Sequence, residues 1–161
     1  LIAGNETTTG LITASARIFH EKPYVLAELK QKPELAAPFV EEALRFYSPF
    51  SATVRRTTKD VEIAGQKILA GELVVPLIAS ANRDEQVFTD PDTFKLDRHS
   101  NPHLAMGFGI HFCLGAHLAR LEGKIVAEEM ARRFSSVTLT NPKTATVGDL
   151  GGPKKLTVVV L

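Results

Sequence analysis

Tryptophan is absent from the 161-residue chain, cysteine occurs once, and methionine and tyrosine occur twice each. A single thiol cannot close an internal disulfide, so no disulfide framework holds this fold. That cysteine is a core filler, a ligand or a nucleophile. An excess of either charge is equally lacking: 19 Lys and Arg stand against 18 Asp and Glu, a net charge of +1. Nothing in that balance asks for nucleic acid or an acidic membrane surface. The longest apolar run, Leu73 to Ala81, is broken by Pro76 and is far short of the ~18 residues that a membrane span needs. A span in this chain is thereby excluded, and internal repeats and low-complexity segments are missing as well. What is present, 44% hydrophobic and 23% charged residues, is the composition of one ordinary globular domain.

The chain opens without Met, a basic leader or a helix cap, inside an apolar helical pattern of Leu1, Ile2, Leu11, Ile12, Ala16 and Phe19. It therefore reads as part of something longer. A first helix is predicted over 1–20, although Thr7-Thr8-Thr9-Gly10 places weak helix formers in its middle at about 0.5–1 kcal/mol each. Such a local cost marks either a tertiary override or a site. Pro23 and Pro38 suit first-turn positions of helices over 23–31 and 38–47, the second ended by Ser48-Pro49. The period then changes to short strands at 61–63, 68–69 and 73–78, with a turn at 64–67. No period holds from Asn82 to Gly109, and an irregular stretch of that length in a compact domain is rare unless it is functional. A last helix is predicted over 114–134, with Leu118, Leu121, Ile125 and Phe134 as its apolar face. Strands at 137–139 and 156–161, joined by a glycine-rich turn at 148–153, complete the reading.

The most specific pattern is Gly107-Phe108-Gly109-Ile110-His111-Phe112-Cys113-Leu114-Gly115. With the chain's own residue frequencies, this spacing of three Gly, one His and one Cys arises by chance in about one chain in 10⁵. Glycines ahead of the cysteine let the backbone turn tightly and lie against a flat object that a Cβ would obstruct. The cysteine then sits at a helix N-terminus, where unpaired N–H groups and the helix dipole favour a thiolate, the form that binds iron. The bland alternative is a structural cysteine beside a glycine-rich turn.

That pattern, followed by Leu118-Ala119-Arg120-Leu121-Glu122, resembles the haem-binding loop and proximal helix of the cytochrome P450 family, with Met106 where the family usually has Phe. The resemblance implies that Cys113 is the iron ligand and that His111 reaches a haem propionate. Two further motifs are weak alone. Glu42-Ala43-Leu44-Arg45 puts a carboxylate and a guanidinium one turn apart, most often a solvated contact of ~0.2–0.5 kcal/mol. Its neighbours are apolar, and the family has such a pair buried under the haem, joined by an Arg that corresponds to Arg98. Ala3-Gly4-Asn5-Glu6-Thr7-Thr8 is either a run of helical Thr bonding back to i−4 carbonyls or, by resemblance, the segment crossing the distal haem face. On the second reading Ala3 and Gly4 leave room for dioxygen, and Glu6 and Thr7 are the acid–alcohol pair that delivers protons.

By the same resemblance Arg55 contacts a propionate, Phe108 and the loop glycines lie against the macrocycle, and Pro49 to Val54, Ala3 and the 148–152 turn face the substrate. The implied fold is mainly α with small β-sheets, residues 1–161 being a C-terminal portion of the cytochrome P450 fold that would be aggregated or molten by itself. The implied function is a cytoplasmic haem-thiolate monooxygenase that inserts one oxygen atom into a small, hydrophobic organic substrate. Its cofactor would be haem b (iron protoporphyrin IX). Its electrons would come from a ferredoxin and an NAD(P)H-dependent reductase docking near Arg120 and Lys124, since the chain has no nucleotide-binding glycine motif and no iron–sulfur cysteines. A peroxide-driven peroxygenase, a Cys–His hydrolase using Cys113 with His99, His103, His111 or His117, and a non-catalytic haem-binding protein are the alternatives.

Overall fold

The architecture comes from a computed structural model that describes residues 2–140 and 157–161; the expected turn at 148–153 and the first residue of the last expected strand lie outside them. Pro23 opens its helix at the first position, where its missing N–H costs nothing. Four main helices result: α1 (Ile2–Glu21), α2 (Pro23–Gln31), α3 (Ala36–Phe46) and, after the short α4 (Ile78–Ala81), α5 (Ala116–Arg133). Their shared core holds Leu11, Ile18, Phe19, Val25, Leu29, Phe39, Val40 and Leu44, with the Phe19 and Phe39 rings stacked 5.0 Å apart.

The β structure is three separate antiparallel pairs. β1 (Arg55–Arg56) pairs with β4 (Leu73–Val74), β2 (Val61–Ile63) with β3 (Gln66–Ile68), and β5 (Val137–Leu139) with β6 (Val158–Val160). Two of these differ from the sequence expectation. The turn before β3 is two residues rather than four, because Ala64 and Gly65 both adopt positive φ (50° and 78°), the backbone twist that tight hairpins favour. The strand expected over 73–78 stops at Val74: Pro76 cannot donate to a ladder, and Ile78 already begins α4.

The larger correction concerns α5. Its predicted apolar face, Leu118, Leu121 and Ile125, is 60%, 53% and 48% exposed, and Phe134 follows the helix rather than belonging to it. The face turned to the core consists of Ala116, Gly123, Ala127 and Ala131. These small residues let α5 approach α1 and α3 closely. A Cβ on Gly123 would lie 2.7 Å from Leu11 Cδ2 and 3.2 and 3.3 Å from the two Val40 methyls. Leu11 is fully buried and Val40 is stiff at χ1, so Gly123→Ala is expected to destabilise the full-length protein by roughly 1–3 kcal/mol through overpacking. A urea midpoint equal to that of the parent would show that α5 can shift to make room.

Candidate functional site

The loop ahead of α5 is closed by a hydrogen bond from Cys113 N–H to Met106 O at 2.7 Å. Between them Phe108 is extended, Gly109–His111 forms one 3-10 turn, and Cys113 O accepts the N–H of Ala116 at the start of α5. Gly107 is required twice over: its φ is +74°, and a Cβ there would meet the carbonyl oxygen of His111 at 2.6 Å. Gly109 also has positive φ (60°), whereas Gly115, with φ −86°, does not, and a Cβ there would make only ordinary contact with the Cys113 sulfur. Met106 is buried in the main core.

Everything after Gly107 in this loop faces outward. Cys113 is exposed, as is His111. Around them Phe108, Ile110 and Leu114 are 82%, 97% and 101% exposed and Phe112 is half exposed. Contiguous apolar side chains standing clear of a protein in this way mark a binding surface.

Behind the loop lies the polar centre of the fold. Glu42 and Arg45 on α3 are each 1% exposed and form a two-pronged pair, Arg45 Nε and Nη2 donating to the Glu42 carboxylate at 2.8 Å each. Arg98 Nε adds a third bond to Glu42 Oε2 at 3.0 Å, and the Lys95 N–H and Asn101 Nδ2 donate to the same carboxylate. The remaining guanidinium hydrogens go to main-chain oxygens of the irregular segment. Arg45 reaches Asn82, Pro91 and Thr93, while Arg98 reaches Thr89, Asp90 and Thr93. These three charged side chains thus act as the internal template of a segment with no ladder of its own.

Two connections in this centre were missed by sequence reasoning. Asn82, fully buried, donates to Ser48 Oγ and accepts the Leu104 N–H at 2.7 Å, tying the approach to the cysteine loop to α3. Glu41, next to Glu42 but on another side of α3, takes Arg120 Nε and Nη2 at 2.7 and 2.9 Å and His103 Nε2 at 3.2 Å. The Ala105 N–H donates to His103 Nδ1, which assigns the ring proton to Nε2. The adjacent acidic pair Glu41-Glu42 was the available signal, one carboxylate for each of two neighbouring elements.

Burial alone would raise the Glu41 carboxyl, but hydrogen bonds from His103 and Arg120 and the Arg120 charge outweigh it and hold the pKa at about 2. A carboxyl lowered from 4.5 in this way adds stability at pH above 4.5 and loses that contribution as pH falls through about 2. The acid limb of the stability curve is therefore expected to be flatter in Glu41→Gln than in the parent over that window. Parallel curves would mean that the Arg120 and His103 contacts add nothing.

The other expected site residues lie on α1 and β1. Ala3, Gly4 and Glu6 are exposed, and a Cβ on Gly4 would meet nothing within 4 Å. Thr7 Oγ1 donates to Ala3 O at 2.7 Å, the i−4 back-bond. Thr8 Oγ1 instead donates to Glu122 Oε2 at 3.0 Å, so Thr8 faces α5 and Thr7 lies about 100° round the helix from it. Arg55 is exposed and donates to Thr53 Oγ1 and Val54 O, and its neighbour Arg56 donates to Gly71 O. A cavity of about 460 Å³ lies between α3, the 95–101 segment and α5, lined by Glu41, Arg98, Arg120 and Lys124 among others, and does not include Cys113.

Compared with known proteins, residues 23–157 match the family model of cytochrome P450. The chain belongs to the cytochrome P450 family. It is 51% identical over 130 residues to cytochrome P450 109 of Bacillus spizizenii, a match covering 81% of this chain and 32% of that protein. It is 48% identical to cytochrome P450 119 of Sulfurisphaera tokodaii, covering 99% of this chain and 43% of that relative. The crystal structure of CYP109E1 from Bacillus megaterium in complex with corticosterone superposes with a TM-score of 0.87 at 42% identity, over 98% of this chain and 43% of that one. The chain therefore spans about a third to two fifths of the length of these cytochromes P450, in a mainly helical fold with small sheets.

Cytochromes P450 carry haem, and the Cys113 loop fits that group. It presents one exposed sulfur at the start of a helix, a tight approach at Gly107 that a Cβ would block, and an apolar rim suited to a flat, largely apolar ring. Thiolate sulfur is a family-appropriate donor for haem iron. None of the described helices is long and apolar enough to cross a membrane.

Proposed function

We propose that this chain is the haem-binding, C-terminal portion of a haem-thiolate monooxygenase that acts in the cytoplasm on a small hydrophobic substrate. The observation that carries this reading is the exposed Cys113 sulfur inside its glycine-shaped, apolar-rimmed loop. When bound, haem b supplies the redox chemistry by which dioxygen gives one oxygen atom to an organic substrate and the other to water.

The chain's own residues have four tasks. Cys113 holds the iron through a thiolate, with Phe108, Ile110 and Leu114 excluding water around the sulfur. His111 and Arg55 carry hydrogen-bond donors for the propionates. Ala3 and Gly4 keep the α1 surface low on the opposite face of the ring. Glu6 and Thr7 move protons there: Thr7 has committed its hydroxyl hydrogen to Ala3 O, so its oxygen is left to accept a hydrogen bond from water or substrate. The apolar segment from Pro49 to Val54 is assigned to the substrate side, in keeping with a relative that binds the steroid corticosterone. Electrons enter from a ferredoxin and its NAD(P)H-dependent reductase, docked near Arg120 and Lys124. A Cys–His hydrolase is disfavoured at His103, whose two ring nitrogens are engaged by Glu41 and Ala105.

The test is Cys113→His in the full-length protein. The variant should retain haem but lose the red-shifted band of the reduced carbonyl complex that thiolate ligation produces. A band identical to that of the parent would overturn the assignment.

A further inference from the structure

We propose that Arg120, fixed in place by Glu41, is the charge that sets the reduction potential of the iron held by Cys113. The inference rests on the reading of Cys113 as the ligand.

Three observations lead to it. First, Arg120 is seven residues after Cys113, an i, i+7 relation that returns to the same side of a helix at about 10 Å along the axis. Side chains on a helix lean toward its N-terminus, which brings the guanidinium back toward the sulfur. Second, Arg120 is not free to sweep the surface. Glu41 grips it through two nitrogens, at 2.7 and 2.9 Å, and is itself braced by His103. A fixed cation exerts a fixed field. Third, Arg120 is held in its charged form above the ordinary guanidinium value, first by its hydrogen bond to Glu41, then by the Glu41 charge and by the charge of the Cys113 sulfur. The sulfur and the guanidinium therefore interact across the gap, and Coulomb interaction is reciprocal.

The consequence for redox follows from sign. Reduction adds one electron to the iron–sulfur unit, and a nearby cation favours the more negative state. Arg120 thus raises the potential and eases the entry of the first electron. None of the sequence motifs assigns Arg120 this part; the sequence reading gave it only to partner docking. The two roles separate cleanly, because an electrochemical titration with small mediators needs no protein partner.

The experiment is a spectroelectrochemical titration of the haem-loaded, full-length protein and its variants. Arg120→Gln should favour the ferric state by about tenfold, a fall of ~59 mV for a one-electron couple. Arg120→Lys keeps the charge without the fork, and its midpoint should lie between those of Arg120→Gln and the parent. A midpoint for Arg120→Gln equal to the parent's would overturn the proposal, and so would Arg120→Lys falling as far as Arg120→Gln. If Arg120→Gln fails to hold haem, Glu41→Gln decides. It keeps the cation and removes its counter-charge, so the midpoint should rise; no change or a fall overturns the proposal. Failure of the ligand reading looks different: the parent itself would then lack the thiolate-type carbonyl band.

Discussion

Glu42→Ala is expected to yield a protein that does not retain haem and is less stable by about 3–5 kcal/mol, the cost of leaving a buried charge without its partner. The carboxylate takes hydrogen bonds from Arg45, Arg98, the Lys95 N–H and Asn101. Its removal strands two guanidiniums, whose side chains are 0% and 7% exposed. Since whole domains are stable by only about 5–15 kcal/mol, that loss is a large share of the total. Arg45→Ala should be as severe, because it also frees the carbonyls of Asn82, Pro91 and Thr93. Haem absorbance per protein and a denaturant midpoint check both variants. Normal values in both would reduce the cluster to a dispensable contact.

Thr7→Ala should leave haem binding intact and yet lower product formation about 10²- to 10⁴-fold, the usual contribution of a positioned proton-transfer group. The structure separates this residue from its neighbour. Thr8 is tied to Glu122 on α5, whereas Thr7 bonds only within α1, to Ala3 O. With its reductase the Thr7→Ala protein should still consume NAD(P)H and dioxygen, diverting much of both to hydrogen peroxide. Adding peroxide directly should recover part of the product. Parental coupling in Thr7→Ala, with loss of coupling in Thr8→Ala, would move the proton path to the other side of α1.

Much of this was legible in the residues. The spacing around Cys113 pointed to a turn against a flat object, and Gly107 shows why: both its backbone angle and its packing exclude a side chain. The burial of Glu42 and Arg45 followed from their apolar neighbours on α3. The orientation of α5 did not. Periodicity shows that Leu118, Leu121 and Ile125 share a face, but small residues such as Gly123 and Ala127 carry no hydrophobic signal, and here they make the close contact. Asn82 and Glu41 escaped for another reason. Their importance comes from partners distant in sequence, Leu104 and Arg120, and no local pattern encodes such pairings.

The irregular stretch between α4 and the cysteine loop carries a consequence for how this protein can change over generations. Arg45 and Arg98 grip it almost entirely through carbonyl oxygens of Asn82, Thr89, Asp90, Pro91 and Thr93. Every amino acid has that oxygen, so the arginines recognise the path of the chain and are indifferent to most of the side chains along it. Lineages can therefore drift at exposed positions such as Thr89 without disturbing the contour. The positions that cannot drift are the few that do the gripping, and with them the buried Phe88, Phe94 and Leu96 that press the segment against the core.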